Sequence, residues 1–326
     1  LPTRTAVKML AMLWATAEDL IAGGVTKSHD LTGIVFQRLI VDRKFLATFY
    51  TRPAAAALLA GLAAPMHRPV IGTEWGSTQV LSSAHIGDFA CGTGTLLSTA
   101  YQRISLLSEM HGGDPKELHR RMMKDGLVGM DVLNVAVHLS AAMLAGSHPD
   151  TPFEGECLLT MPYGTHEWGV SLGSLELLTP QVPVSFMQAA ARTAGGMGER
   201  HVRDLMERVR HGQFQLVIMN PPFTRHGARE GERVDVHNPA FAAFETNEQE
   251  QDQLAAHLKL IARASCAHGH AGMASYFVEL AHRMAADSGI VALVLPMSAV
   301  SGQAWEGVRT LWRKRYRDIL VVTIAD

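Results

Sequence analysis

Two short segments of the chain bring together residue types suited to chemistry: Asp88-Phe89-Ala90-Cys91-Gly92-Thr93-Gly94-Thr95-Leu96-Leu97, and Asn220-Pro221-Pro222-Phe223. A glycine-rich turn between a strand and a helix lets backbone approach a ligand closely and points free amides at it. Gly92 and Gly94 supply such a turn, and Asp88 sets a carboxylate at the strand end that suits a cationic or amine-bearing ligand better than a diphosphate. The dinucleotide fingerprint is not met, because Leu97 stands where its third glycine would be. A second acid, Asp131, closes the apolar run 127–130. There it can accept hydrogen bonds from ribose hydroxyls, cap the helix that follows, or do both.

The Asn-Pro-Pro-Phe segment offers a different device. An exocyclic amine on an aromatic ring is a poor nucleophile, since its lone pair is delocalised. The side-chain carbonyl of Asn220 and the backbone carbonyl of Pro221, held rigid by the prolines Pro221 and Pro222, can accept the two amine hydrogens and draw the nitrogen toward tetrahedral geometry. No proton need leave before attack, so positioning carries much of the rate. Phe223 supplies an aromatic face on which a planar ring, such as a base rotated out of its stack, would lie.

Both segments follow short apolar runs, which puts them at the carboxyl ends of parallel strands, where open α/β sheets bind ligands. The strands expected from the pattern are 84–88, 127–130, 175–178, 216–219, 290–295 and 319–324, alternating with amphipathic helical stretches that include 132–144. That alternation predicts a doubly wound, mostly parallel, Rossmann-like α/β sheet with helices on both faces. The first 65 residues read as a helical segment, with Val7, Leu10, Leu13, Ala17, Leu20 and Ile21 at helical spacing, then 31–46, then an alanine-rich stretch at 53–62. The catalytic domain is expected over 66–326. Within it, 225–233 shows no apolar period and reads as a loop, and 249–264 reads as a helix.

The segment Asp88 to Leu97 resembles the S-adenosylmethionine loop of class I methyltransferases, specifically the N6-adenine DNA methyltransferases that include the modification subunits of type I restriction systems. Thr48-Phe49-Tyr50-Thr51-Arg52-Pro53 is similar to that family's Phe-Tyr-Thr-Pro element, here with Arg52 inserted before the proline. The resemblance covers residues 30 to 326. It implies that Phe49, Tyr50 and Thr51 line the methionine end of S-adenosyl-L-methionine, and that Asp88, Ala90, Gly92, Gly94, Thr95 and Leu96 surround it. Asp131 and Val132 would hold its nucleoside. Where the family has Gly-Asp at the third strand, this chain has Gly173-Ser174 before Leu175-Glu176, so Ser174 or Glu176 would stand in for the acid. The order, cofactor loop before amine clamp, matches the adenine enzymes. Cytosine C5 chemistry needs a cysteine nucleophile, and no Pro-Cys pair occurs. N4-cytosine enzymes more often carry serine at the position of Asn220. The activity implied is methylation of adenine N6 in DNA, in a restriction-modification or phage-defence system. The same clamp resembles that of protein glutamine and ribosomal RNA amino-group methyltransferases, and a cofactor-binding module without turnover is a third reading.

The composition fits this picture. With 326 residues, 47% of them hydrophobic, the chain can bury a large core. A formal net charge of -2 gives no basic excess, so any contact with a polyanion must be local. The basic groups Arg309, Arg313, Lys314, Arg315 and Arg317, and Arg120, Arg121 and Lys124, read first as solvated helix faces. Three scattered cysteines suit a reducing cytoplasm, and the longest apolar runs fall far short of the roughly 20 residues that cross a bilayer, so no membrane partner is expected. No metal site is expected either, because Cys266-Ala267-His268-Gly269-His270 lacks a second ligand pair at zinc spacing. Ser301-Gly302 shows no nucleophile elbow. The chain opens on Leu1 and stops at Asp326 after a strand-like run, and it has no counterpart to the family's last antiparallel strand or its target recognition domain. It therefore reads as a fragment, whose DNA selectivity would come from a downstream recognition domain or a separate specificity subunit.

Overall fold

The computed structural model describes residues 3–22, 51–69, 74–77, 81, 83–153, 157–179, 186, 188–190, 199–224, 236–242, 244 and 246–324. The expected helix at 31–46, Phe49, Tyr50 and the stretch 225–233 lie outside the described residues. The strands are β1 (Ile86–Asp88), β2 (Leu127–Asp131), β3 (Leu158–Thr160), β4 (Tyr163–His166), β5 (Gly169–Leu172), β6 (Phe214–Met219) and β7 (Ala285–Leu293). Five of them form one sheet in the order β3-β2-β1-β6-β7, and every pairing in it is parallel. β4 and β5 pair separately as an antiparallel hairpin. The chain winds outward from β1 to β3 and then returns to β6 on the other side of β1. That reversal is a topological switch point, with the carboxyl ends of β1 and β6 side by side.

The helices used below are α1 (Thr3–Ala22), α2 (Pro53–Ala63), α3 (Thr95–Met110), α4 (Pro115–Arg121), α5 (Asn134–Gly146), α6 (Glu199–Arg208), α7 (Glu248–Ile261), α8 (Met273–Met284), α9 (Ser298–Ser301) and α10 (Glu306–Arg315). Side chains alternate across a strand, so a parallel sheet covered on both faces needs nearly continuous apolar strands. Val128 and Met130 of β2, Leu159 of β3, and Val217 and Met219 of β6 enter one core, with Tyr276, Phe277 and Leu280 of α8 and Leu254 and Leu258 of α7. Leu127, Leu158, Leu216 and Ile218 enter the other, against Leu97, Tyr101 and Ile104 of α3 and Ala56 and Ala63 of α2. Each large side chain so buried stabilises the fold by roughly 1.5–3 kcal/mol, before the entropy of ordering it is subtracted. Two caps start helices sharply: Asp114 accepts from the amides of Lys116 and Glu117, and Asn247 forms a capping box with Glu250.

Three expectations are corrected. Residues 175–178 are not the third strand; they belong to a tight 3-10 turn at Gly173–Leu178, and the third strand is β3. β3 is only three residues long, too short to show a period, while Leu175, Leu177 and Leu178 are apolar because the turn itself is buried. Residues 319–324 form no strand, and Ile319, Leu320, Val321, Val322 and Ile324 are exposed. The helix expected from 132 begins at Asn134 with Leu133 at its cap, so Asp131 does not cap it. In α1, which forms as expected, Val7 and Leu10 are exposed and contribute nothing to the core. Among the described residues, no helix is long and apolar enough to cross a membrane.

Away from the switch point, His119 of α4 is fully buried, with Nδ1 hydrogen-bonded to the Tyr101 hydroxyl at 2.8 Å and its ring 4.8 Å from that of His148. Burial and the nearby His148 lower its pKa to about 4. The unfolded chain therefore takes up the proton first as pH falls. Stability is fully present above the unfolded histidine value of ~6.5 and declines down to about pH 4. Urea denaturation at stepped pH should show His119→Gln losing about 3 kcal/mol less than the parent across that window.

Candidate functional site

The site is built where β1, β2 and β6 end. Asp88, the last residue of β1, is 1% exposed, and its Oδ1 accepts from the amide of Ala90 at 3.1 Å. Burial pushes its carboxyl well above the usual carboxylate range, the Ala90 amide opposes this, and the neighbouring charge of Asp131 adds to it. The chain then turns through Gly92 and Gly94 into α3. The Cys91 amide bonds Met130 O at 2.9 Å, and Ser140 Oγ of α5 donates to Gly92 O at 2.8 Å. Gly94 has φ +82, and a Cβ there would stand 2.8 Å from Ser140 Oγ and 3.0 Å from Ser140 Cα. Only glycine lets this loop lie so close to α5. Thr95 and Leu96, which open α3, are buried, whereas Ala90 and Gly92 are half-buried.

Asp131 locks this loop to the next strand end. Its Oδ2 accepts from the Gly92 amide and its Oδ1 from the Leu133 amide, each at 2.9 Å. Burial raises its carboxyl above the ordinary value, and the amides of Leu133, Gly92 and Val132 hold it back. A carboxylate offers about four lone-pair positions, so two accepted amides leave Asp131 able to accept more.

Ser174 reaches the same region from a different direction. The Gly173 amide bonds Pro162 O at 2.9 Å, just beyond β3, and Gly173 has φ +63 with its missing Cβ only 2.5 Å from Val132 Cγ1. The turn thus presses Ser174 up to the end of β2, and Ser174 is buried. Glu176 is engaged elsewhere: its Oε1 accepts from the Leu172 amide at 2.9 Å and pairs with His257 Nε2 at 2.8 Å. Of the two residues expected to replace an acid here, Ser174 is buried next to Gly173, which adjoins Val132, and Glu176 braces the turn.

Asn220 follows β6 immediately and is half-buried. Its Nδ2 donates to Thr51 Oγ1 at 3.0 Å across 169 residues, so the segment before α2 and the Asn-Pro-Pro-Phe segment meet. Pro221 is buried and Pro222 half-buried. Phe223 packs partly against the small core of Ala271, Ala274, Val278, Ala299, Trp305 and Val308. Thr224 O accepts from the Met273 amide at 2.8 Å, which anchors the segment to the start of α8. Of the residues singled out from the sequence, Thr51 and Asn220 are in contact at the end of β6, and Asp88, Ala90, Gly92, Gly94, Asp131, Val132 and Ser174 gather at the ends of β1 to β3. Sequence reasoning missed the hairpin β4–β5, whose Tyr163-Gly164-Thr165-His166 carries weak period-2 signals, and missed Ser140 and His257, which act through loops rather than motifs.

Cys91 is fully enclosed in the loop. Burial, with Asp131 and Asp88 nearby, pushes its thiol up, so it remains protonated and is no nucleophile. Among the described residues, no three His, Cys, Asp or Glu side chains come together as metal ligands.

No protein-family model matches the sequence, and no curated protein matches it. Among solved structures, the fold is similar to that in a cryoEM structure of a DrdV-DNA complex, with a TM-score of 0.51 and 15% identity over 84% of this chain and 23% of that one. It is also similar to a nuclease-deletion mutant of the Type ISP restriction-modification enzyme LlaGI in complex with a DNA substrate mimic. There the TM-score is 0.52 at 14% identity, over 82% of this chain and 22% of the other. At these identities the likeness is one of fold, and the chain spans under a quarter of the length of either neighbour.

The glycine geometry is directly testable. Gly94→Ala combines a positive φ with collision against α5 and should cost about 2–3 kcal/mol in urea denaturation, whereas Gly92→Ala, with open space around its Cβ, should cost only about 1 kcal/mol.

Proposed function

We propose that the chain is the catalytic part of an S-adenosylmethionine-dependent methyltransferase of class I type that acts on the N6 amine of adenine in DNA. One observation carries this reading: the acid-flanked glycine turn and Asn220 lie at adjacent strand ends of a switch point. A methyl donor held by the first would there face an amine held by the second. The fold neighbours are described as complexes with DNA, and one as a restriction-modification enzyme, which favours DNA over protein or RNA as substrate.

The residues fit such a cofactor. Asp88 would pair with its ammonium, Asp131 would accept from its ribose hydroxyls, and Val132 and Ser174 would flank its adenine, while the cradle at Gly94 admits no side chain. Thr51, with Phe49 and Tyr50 beside it in sequence, would line the methionine end. When bound, S-adenosylmethionine supplies a methyl group on a sulfonium, activated for transfer. Asn220 and the Pro221 carbonyl would accept the two amine hydrogens of the target base, Pro222 would keep the turn rigid, and Phe223 would stack on the extruded ring. A partner that confers sequence selectivity, as a recognition domain or a specificity subunit, completes the proposal.

Calorimetric titration with S-adenosylmethionine should give heat in the parent and affinity at least about ten-fold lower in Asp131→Ala, a loss of roughly 1.4 kcal/mol. Asn220→Ala should retain binding yet lower adenine methylation by about 10²–10³. No heat in the parent would overturn the reading.

A further inference from the structure

A second concave feature lies between the β4–β5 hairpin and α7. It is a groove of about 750 Å³ lined by Thr165, His166, Glu167, His257, Lys259 and Arg263, among others. Its walls grow from the same edge of the sheet as the candidate site. The hairpin leaves β3 within three residues of Thr160, and α7 lies in the long excursion that begins at Asn220. Its base is joined to the turn that carries Ser174, since His257 Nε2 bonds Glu176 Oε1, which also accepts the Leu172 amide.

The charges in this groove differ from the basic groups that stand out in the sequence. Arg120 and Arg121 are both paired to Glu117, and Arg309 and Arg313 to Glu306. Lys259, in the last turn of α7, and Arg263, in the turn that follows it, are exposed and form no ion pair among the described residues. Across from them, the His166 ring stacks on Trp168 at 4.6 Å and 6°, and its Nε2 is buried with no hydrogen-bond partner among the described residues. A buried ring nitrogen without a partner is costly unless something else supplies one. Burial lowers the pKa of His166, so its ring favours the neutral form. Glu167 is the one acid in the lining, and it sits at the hairpin turn. An open trough with two unpaired cations on one wall and an unpartnered imidazole on the other suits a run of phosphodiesters.

We propose that this groove holds the sugar-phosphate backbone of the nucleic acid substrate, with Lys259 and Arg263 each contacting a phosphate and His166 donating a hydrogen bond, while the Thr165 hydroxyl stays bonded to Glu250 Oε1. The inference rests on the reading of the chain as an enzyme acting on DNA, and it assigns the polyanion contact that a net charge of -2 leaves to a local patch.

The test is fluorescence anisotropy with a labelled duplex of arbitrary adenine-containing sequence, using the whole 326-residue chain, titrated between about 50 and 200 mM salt. The double variant Lys259→Glu/Arg263→Glu should weaken binding at least about ten-fold, and the slope of log affinity against log salt should flatten by about 2. Lys314→Glu/Arg315→Glu, equally exposed on α10, should change neither by more than about two-fold. His166→Ala should weaken binding while leaving the slope unchanged, because it removes a donor and no charge. Equal affinity and slope in the parent and the 259/263 variant would overturn the proposal, as would no duplex binding by the parent. Calorimetry with S-adenosylmethionine on the same samples separates the two claims. Heat retained alongside groove variants that bind duplex normally sinks only the groove, whereas no heat in the parent sinks the enzymatic reading.

Discussion

The Asp131 carboxylate is the joint on which the rest of the site depends. One oxygen takes the Gly92 amide and the other the Leu133 amide, so the loop after β1 and the turn after β2 are set against each other by a single side chain. Hydrogen bonds to an ionised acceptor in a partly desolvated place are among the stronger ones available to a protein. They also offset the cost of keeping a carboxylate there, as the opposing influences on its ionisation show. Ser140 closes the arrangement from α5, and Gly94 accommodates the close approach of that helix. The order in this loop therefore comes from side chains of two following segments, and only in part from its own glycines.

What could be read from the sequence follows from how local each cause is. Asp88, Asp131 and Asn220 stand out because each ends an apolar run, and β1, β2 and β6 form where those runs lie. The helix α7 was visible in the pattern at 249–264. β3 was not, because three residues carry no period, and its place was given to a buried turn that is equally apolar. The run 319–324 has strand composition, yet its side chains are exposed in the fold, since composition alone says nothing of a pairing partner.

The same distinction holds within the site. Gly173-Ser174 could be picked out by motif, but its reach to Val132 depends on the hairpin β4–β5 and on Glu176, held by His257 from a helix far along the chain. The pairing of Glu176 with His257 holds that carboxylate away from β2, while Gly173 makes the close approach to Val132. Asn220 and Thr51 were both singled out, yet nothing local tells that they touch. Long-range pairings of this kind arise from sheet order, and sheet order follows from the crossover at the switch point.

That Asn220–Thr51 contact also has a temporal meaning. The loop from Asp88 to Gly94 and the turn at Asp131 come from neighbouring stretches of chain, 39 residues apart at the Gly92–Asp131 bond, so closing them costs less chain entropy than closing the 169-residue span. Asn220 joins only after β6 has been made, has passed over β2 and β3, and has inserted beside β1. On a growing polypeptide emerging from the ribosome in sequence order, half of the site would exist well before the other half. The hydrogen bond spanning 169 residues can therefore form only once β6 has paired beside β1.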